Sequence, residues 1–273
     1  MKIYIIWIIS ILKFFLVKKR FLLLSPPFLK KQYFYDKKSK RFFLLYNRNK
    51  IDWGTNWQVF LDDQFSLPYT NYNDTRNKDL LNYTKKQNNN NKTPIIIDCG
   101  SNTGASSIYF KLTYPKSKII GLEIDKNNFL HSKKNIETNQ LDIDIINKGI
   151  SCDNGFGNII NPEEKNNAYQ IQKETKALSG IPLISIDTVL KTYFNDDKYF
   201  PYIIKIDIEG GEEDLFQKNT NWINYFPMII IELHDWLMPK KKTSINFLRT
   251  ISKENRDFII KGENVFSIKN NLD

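Results

Sequence analysis

The sequence predicts an α/β fold with a mostly parallel sheet, on three observations. The stretch Pro94-Ile-Ile-Ile-Asp98-Cys-Gly100-Ser-Asn102-Thr-Gly104 reads as a buried strand, a tight turn and a helix start. Consecutive isoleucines suit a strand covered on both faces, and glycines let the backbone bend sharply and a ligand approach closely. Further apolar runs of strand length alternate with helical patterns, the order that builds parallel sheets. Those runs end in polar residues, Asp98, Glu123, Asp207 and His234, and ligands of open α/β sheets bind beyond the carboxyl ends of the strands.

Residues 1–50 read as a hydrophobic and basic appendage. They hold thirteen Lys or Arg against a single acid, Asp36, a net +12 in a chain of net +10. Residues 51–273 therefore sum to about −2, and a body without basic character argues against nucleic acid as a partner. Ile3 to Val17 is apolar apart from Ser10 and Lys13, and Lys18-Lys19-Arg20 follows. The run is shorter than the ~20 residues of a spanning helix, and no small-residue cleavage site follows it. Three readings stay open. They are an interfacial helix with a basic collar, a hydrophobic helix packed on the body, and a signal anchor. The first leads to an expectation of peripheral membrane contact through residues 1–24, with the body in the cytoplasm.

Residues 25–50 fit a basic hairpin or a connector. Residues 51–91 read as a cap segment and linker. Trp53, Trp57, Phe60 and Leu61 recur at helical spacing, which predicts a short helix over Thr55–Asp63. Lys85 to Lys92, with four consecutive asparagines, reads as a polar linker.

Residues 92–273 form the main domain. Its parallel strands are expected at Ile95–Asp98, Lys118–Glu123, Ile143–Gly149, Tyr202–Asp207 and Met228–Leu233. Helices are expected at Gly104–Leu112, at Asn127–Asn139 and after Ile184–Leu190. Residues 151–182 read as irregular, with room for a hairpin over Phe156–Ile160 and Ala168–Ile171. Phe258–Ile260 and Val265–Ile268 flank Lys261-Gly-Glu-Asn264 and predict an antiparallel closing hairpin. Cys99 and Cys152 have no paired spacing and make no disulfide framework, so a reducing compartment is the default. With the only histidines, His131 and His234, far apart, no metal site is expected.

The candidate site residues follow from chemistry at the strand ends. Asp98, Gly100, Asn102 and Gly104 form the loop after the first strand. Position 102 is Asn, so the G-x-G-x-x-G fingerprint of a pyrophosphate cradle is not matched. Such a loop suits a cofactor with one nucleoside and no diphosphate. Glu123 ends the second strand, where an acid accepts hydrogen bonds from ribose hydroxyls, in NAD and S-adenosylmethionine sites alike. Lys205, Asp207 and Glu209 alternate along the fourth strand and project from one side. Glu232 and His234 share a face at the end of the fifth, and His234 is assigned to the substrate side. Glu212, Glu213 and Asp214 read as first-turn acids favoured by a helix dipole, and His131 as a surface residue.

The succession IIIDCGSNTGASSIYF, IIGLEIDKNNF, LISIDTVL, YIIKIDIEGGEEDLF and PMIIIELHDW resembles the FkbM-type methyltransferases over roughly residues 51–235. The resemblance implies a class I, Rossmann-like methyltransferase fold, S-adenosylmethionine as donor, and O-methylation of a sugar, glycan, glycolipid or related metabolite. By position it implies that Asp98, Gly100, Asn102 and Gly104 cradle the donor and that Glu123 binds its ribose. It also implies that Asp187, Lys205, Asp207 and Glu209 line the active site. Ile124-Asp125 stands where many family members carry proline. Asp207, preferred, and His234 are the candidate bases. Two alternatives stay open: a nucleotide-sugar oxidoreductase on a related sheet, and a non-catalytic membrane or nucleic-acid adaptor.

Overall fold

A computed structural model of the chain describes residues 2–16, 19–67, 71–159, 171–174, 180–194 and 198–272. Its central sheet has seven strands. In spatial order they are Arg256–Lys261, Asn264–Lys269, Met228–Glu232, Tyr199–Ile206, Thr93–Cys99, Lys118–Leu122 and Ile143–Ile146. The last five are mutually parallel, and the two nearest the carboxyl terminus form the predicted antiparallel closing hairpin. The strand order reverses between Thr93–Cys99 and Tyr199–Ile206, so the switch point falls between the two richest motifs of the sequence.

The isoleucine runs place one apolar residue on each face in turn. Ile96, Ile119, Ile203 and Ile230 enter one core, and Ile95, Ile97, Ile120, Ile204 and Ile229 enter the other. Helix Ala105–Thr113 covers the first face and helix Ile186–Phe194 the second.

The amino-terminal residues are built into the first core. Phe21–Leu23, Lys31–Asp36 and Arg41–Tyr46 form an antiparallel sheet, which settles the hairpin-or-connector alternative for this stretch. Phe34 and Phe43 stack at 5.0 Å and both meet Phe60. Asp36, the lone acid of the segment, is fully buried and accepts a forked pair of hydrogen bonds from Arg20, which also donates to Thr113 and Leu112 of the main domain. Asn135 and Asn139 of helix Lys126–Thr138 and its C-cap accept from the edge of this sheet at Tyr46 and Leu44.

The cap helix runs over Lys50–Phe60, earlier than the expected Thr55–Asp63, because Asn49 caps it by accepting from the Ile51 and Asp52 amides. The expected linker Lys85–Lys92 is for the most part the end of a helix, Asn71–Asn89. Asparagine propensity is overridden there by tertiary contacts: Leu80 is buried, Tyr83 packs on Phe200, and Arg76 donates to Lys269 and Asn270. The region after Ser151 holds a smaller sheet of Gly149–Ser151, Ile181–Ser185, Gly155–Ile159 and Ile171–Glu174. Residues 160 and 168–170 of the expected hairpin lie outside the described residues.

Helix Lys2–Leu16 packs on one side only. Trp7 donates to the Leu23 carbonyl and Phe14 is buried, while Ile5, Ile8, Leu12, Phe15 and Leu16 face outward. No helix among the described residues is long and apolar enough to cross a membrane.

Candidate active site

The site grows from one register position. Lys205 lies directly opposite Asp98 in the parallel pair at the switch point, and both point to the same face as Ile203 and Ile96. A buried ammonium needs anionic and carbonyl partners. Lys205 is 2% exposed. It donates to the Gly100 carbonyl at 2.8 Å and lies 3.3 Å from Asp98 Oδ1 and 3.2 Å from Asp207 Oδ2. Burial alone would lower its pKa, but the Asp207 and Asp98 carboxylates outweigh it and keep the ammonium charged well above the ordinary lysine range.

Asp98 is consequently withdrawn behind the wall and lines neither of the cavities described below. It is completely buried, and its Oδ2 accepts from Ser106 and Ser107 at 2.6 Å each, so it fixes the start of helix Ala105–Thr113 from behind the wall. Gly104 also differs from expectation. In the left-handed region (φ 82°), it lets the loop pass Ser132, whose Cβ would lie 3.1 Å from an added Cβ, and it lines neither cavity described below. Gly100 and Asn102 do face the site. A Cβ on Gly100 would fall 1.8 Å from the Asp207 carbonyl oxygen, so only glycine lets the two strand ends meet.

Two cavities share a wall made by Gly100, Asn102, Asp207 and Glu209. The smaller is bounded by Leu122, Glu123, Asn128, Lys148 and Ile150. The larger, about 660 Å³, is bounded by Thr55, Gln58 and Phe65 of the cap and by Glu232, Trp236 and Glu263. Together they form one trough along the carboxyl edge of the sheet. Glu123 accepts from the Asn102 amide at 2.7 Å and from the Asp125 amide at 2.8 Å. Burial pushes its pKa up to about 7, against the pull of those two amides. Asp125, in the stretch that departs from the family pattern, also caps helix Lys126–Thr138 by accepting from Asn128.

Glu209 sits in a turn at φ 54°, so Lys205, Asp207 and Glu209 do not share one straight strand, which ends at Ile206. The turn nevertheless brings Glu209 to Asp207. Burial first, and then the Asp207 charge, push Glu209 up to about 8 and Glu232 up to about 7. His234 is buried, with Nε2 at 3.5 Å from carboxylate oxygens of Asp207, Glu209 and Glu232. Burial would lower its pKa, but the Glu212 bond and the surrounding carboxylates raise it to about 9. His234 lines neither cavity itself and reaches the larger one only through the Asp207, Glu209 and Glu232 carboxylates around its Nε2.

Asp187 is not brought to the site. It stands in the first turn of helix Ile186–Phe194, after a strand of the smaller sheet, and lines neither cavity. His131 is not a surface residue. Its Nε2 meets the Tyr46 carbonyl at 2.8 Å and holds the amino-terminal sheet. Sequence reasoning missed Glu212, which is fully buried with Oε1 2.9 Å from His234 Nδ1. Within Glu212-Glu213-Asp214 nothing local marks the first acid as different. It also missed Trp236, an exposed aromatic on the cleft rim whose only sequence clue is its place two residues past His234.

The sheet order, the glycine turn and the strand-end acids define a class I methyltransferase. A family model for the methyltransferase FkbM domain matches residues 98–260, and the chain belongs to that family. Its methyl donor is S-adenosylmethionine. Methyltransferase sdnD of Sordaria araneosa is 26% identical over 154 residues, 45% of this chain and 60% of that protein. The chain thus spans less than two thirds of that relative's length. Among solved structures, the bifunctional kinase-methyltransferase WbdD is similar at a TM-score of 0.42 and 9% identity over 78% of this chain and 41% of that one. A putative caffeoyl-CoA O-methyltransferase from Staphylococcus aureus is similar at 0.37 and 12% over 78% and 90%.

Replacing Lys205 by Met leaves Asp98 buried without its counter-ion. The expected loss is roughly 3–5 kcal/mol of folding stability, read as a lower urea midpoint at unchanged m-value. Wild-type stability in Lys205→Met would remove Lys205 as the organising charge.

Proposed function

We propose that the chain is an O-methyltransferase acting on a sugar hydroxyl of a glycan or glycolipid, with the donor in the smaller cavity and the acceptor in the larger. The observation that carries this reading is the shared wall. Gly100, Asn102, Asp207 and Glu209 touch both cavities, so reacting groups held on either side meet at two carboxylates. The residues present fit the donor. Asn102 Oδ1 is buried without a hydrogen-bond partner on that wall, and the Glu123 carboxylate stands at the strand end beside it.

When bound, S-adenosylmethionine would supply an electrophilic methyl for the acceptor oxygen, with S-adenosylhomocysteine as the leaving group. Asn102 and Glu123 would hold its adenosyl end. The Asp207–Glu209 pair receives the hydroxyl proton, and Lys205 fixes the orientation of Asp207. Much of the rate then comes from positioning. A sugar acceptor is supported by the polar lining of the larger cavity, Thr55, Gln58, Gln64 and Glu263, under the exposed ring of Trp236. Family membership leaves no ground for the oxidoreductase alternative, and a bare adaptor has no use for paired carboxylates at the wall. Glu209→Gln is expected to lower kcat by roughly 10²–10⁴-fold with S-adenosylhomocysteine affinity retained, in a screen of glycan acceptors. Undiminished turnover would take Glu209 out of the chemistry.

Glu123 gives a pH dependence of defined sign. Its carboxylate form accepts the ribose hydroxyls, and its raised pKa of about 7 means the neutral form grows as pH falls. S-adenosylhomocysteine affinity should therefore drop about tenfold between pH 8 and pH 6, measured by calorimetry, and Glu123→Gln should flatten the profile. An unchanged slope in that variant would reassign the titration.

We also propose that the body works in the cytoplasm at an anionic membrane surface. The outward apolar side of helix Lys2–Leu16 lies within a segment of net +12, the combination that suits interfacial binding. A groove lined by Ile3, Ile6 and Trp57 reaches Thr55 and Gln58, which also line the acceptor cleft, so a lipid-linked sugar has a continuous seat. The full chain should sediment with phosphatidylserine vesicles at low salt, and Leu12→Lys with Phe15→Lys should release it. Wild-type protein left in the supernatant ends this part of the reading.

A further inference from the structure

We propose that Asp207, Glu232 and His234 bind a divalent first-row cation such as Mn²⁺. Their ligating atoms lie within 4.8 Å of one another. The three come from the ends of two neighbouring strands, which is why spacing along the chain gives no hint of a metal site.

The histidine is set up as a ligand. Its Nδ1 is held 2.9 Å from Oε1 of Glu212, whose side chain is 1% exposed and whose other oxygen, Oε2, is buried without a hydrogen-bond partner. A carboxylate on one ring nitrogen fixes the orientation of the ring and leaves Nε2 as the nitrogen that gives up its proton to take a cation. Nε2 then faces Asp207 Oδ1, Glu209 Oε2 and Glu232 Oε1, each at 3.5 Å. That separation is long for a ring N–H hydrogen bond, which prefers about 2.7–3.2 Å. It is close to the distance between neighbouring ligands of one ion, since bonds of about 2.1 Å place them roughly 3.0–3.4 Å apart.

The charge balance points the same way. Asp98, Asp207, Glu209, Glu212 and Glu232 crowd around one lysine and one histidine. Lys205 is committed to Asp98, to the Gly100 carbonyl and to Oδ2 of Asp207, which leaves Oδ1 turned to the histidine side. Entry is open, because Asp207 and Glu232 line the larger cavity. Two carboxylate oxygens and one imidazole nitrogen suit Mn²⁺, Fe²⁺ or Zn²⁺ better than a soft thiophilic ion or Ca²⁺. A cation there faces the acceptor space, where it would hold the acceptor oxygen and leave Glu209 to take the proton. That last role rests on the methyl-transfer reading, while the binding itself does not.

The test uses the full-length chain, freed of metal with a chelator and titrated with Mn²⁺ alone. Electron paramagnetic resonance should show one equivalent bound, with nitrogen modulation from a coordinated imidazole. Glu232→Gln and His234→Gln should each weaken binding by at least about tenfold, and Glu212→Gln should weaken it while leaving the nitrogen signature reduced but present. Cooperative thermal unfolding checks that each variant folds, and Glu232→Gln, at the cavity wall, keeps the test valid should the buried histidine variant misfold. Absence of stoichiometric binding, or binding unchanged in Glu232→Gln, overturns the site. Calorimetry with S-adenosylhomocysteine on the same sample separates the two readings: donor binding without Mn²⁺ binding sinks the metal site alone, and the reverse sinks the donor assignment alone.

Discussion

A single buried ammonium organises the carboxyl edge of this sheet. Lys205 reaches Asp98 on the neighbouring strand, the Gly100 carbonyl in the turn above it and Asp207 just past its own strand. The partners lie at the ends of two neighbouring strands, so satisfying one charge fixes those two strand ends relative to each other. The desolvation cost of such a group is offset only when all its partners are in place, which makes the arrangement all-or-none. The Gly100 turn is held close by the same logic, since the approach of the Asp207 carbonyl leaves no room for a side chain.

Around that hub the acids divide by accessibility. Asp98 and Glu212 are sealed from solvent and serve as counter-charges, one for Lys205 and one for His234. Asp207, Glu209, Glu232 and Glu123 reach the trough walls. The raised pKa values of Glu123, Glu209 and Glu232 are what burial and mutual repulsion produce when carboxylates outnumber cations. A site poised in this way gains free energy from any positively charged group that enters it, and a sulfonium donor carries such a charge.

The strands were legible in the sequence because a short unbroken isoleucine run hides its side chains from water only when both faces of its strand are covered, and the strand-end rule then named Glu123, Asp207 and the Gly100–Asn102 turn. Register was not legible. That Lys205 would stand opposite Asp98, and so withdraw Asp98 from the cavity, depends on a pairing between residues more than a hundred apart in the chain. Asp187 misled because a strand of the smaller sheet precedes it, which local pattern does not distinguish from a strand of the main one. The Asn-rich helix was hidden because a few contacts, Leu80 and Arg76 among them, outweigh poor propensity over most of its length.

The amino-terminal segment shows how charge and packing separate along one stretch of chain. Its aromatic residues, Phe21, Phe34 and Phe43, are core for the catalytic body, and its one acid is consumed internally by Arg20. The hairpin is thus part of the fold, and the surplus of lysines is left over for the outside. The cap helix Lys50–Phe60 joins the two roles, since its Phe60 belongs to that core while Thr55 and Gln58 line the larger cavity. Whatever positions the amino-terminal segment therefore positions one wall of the larger cavity, so a surface that captures helix Lys2–Leu16 would also orient that cavity.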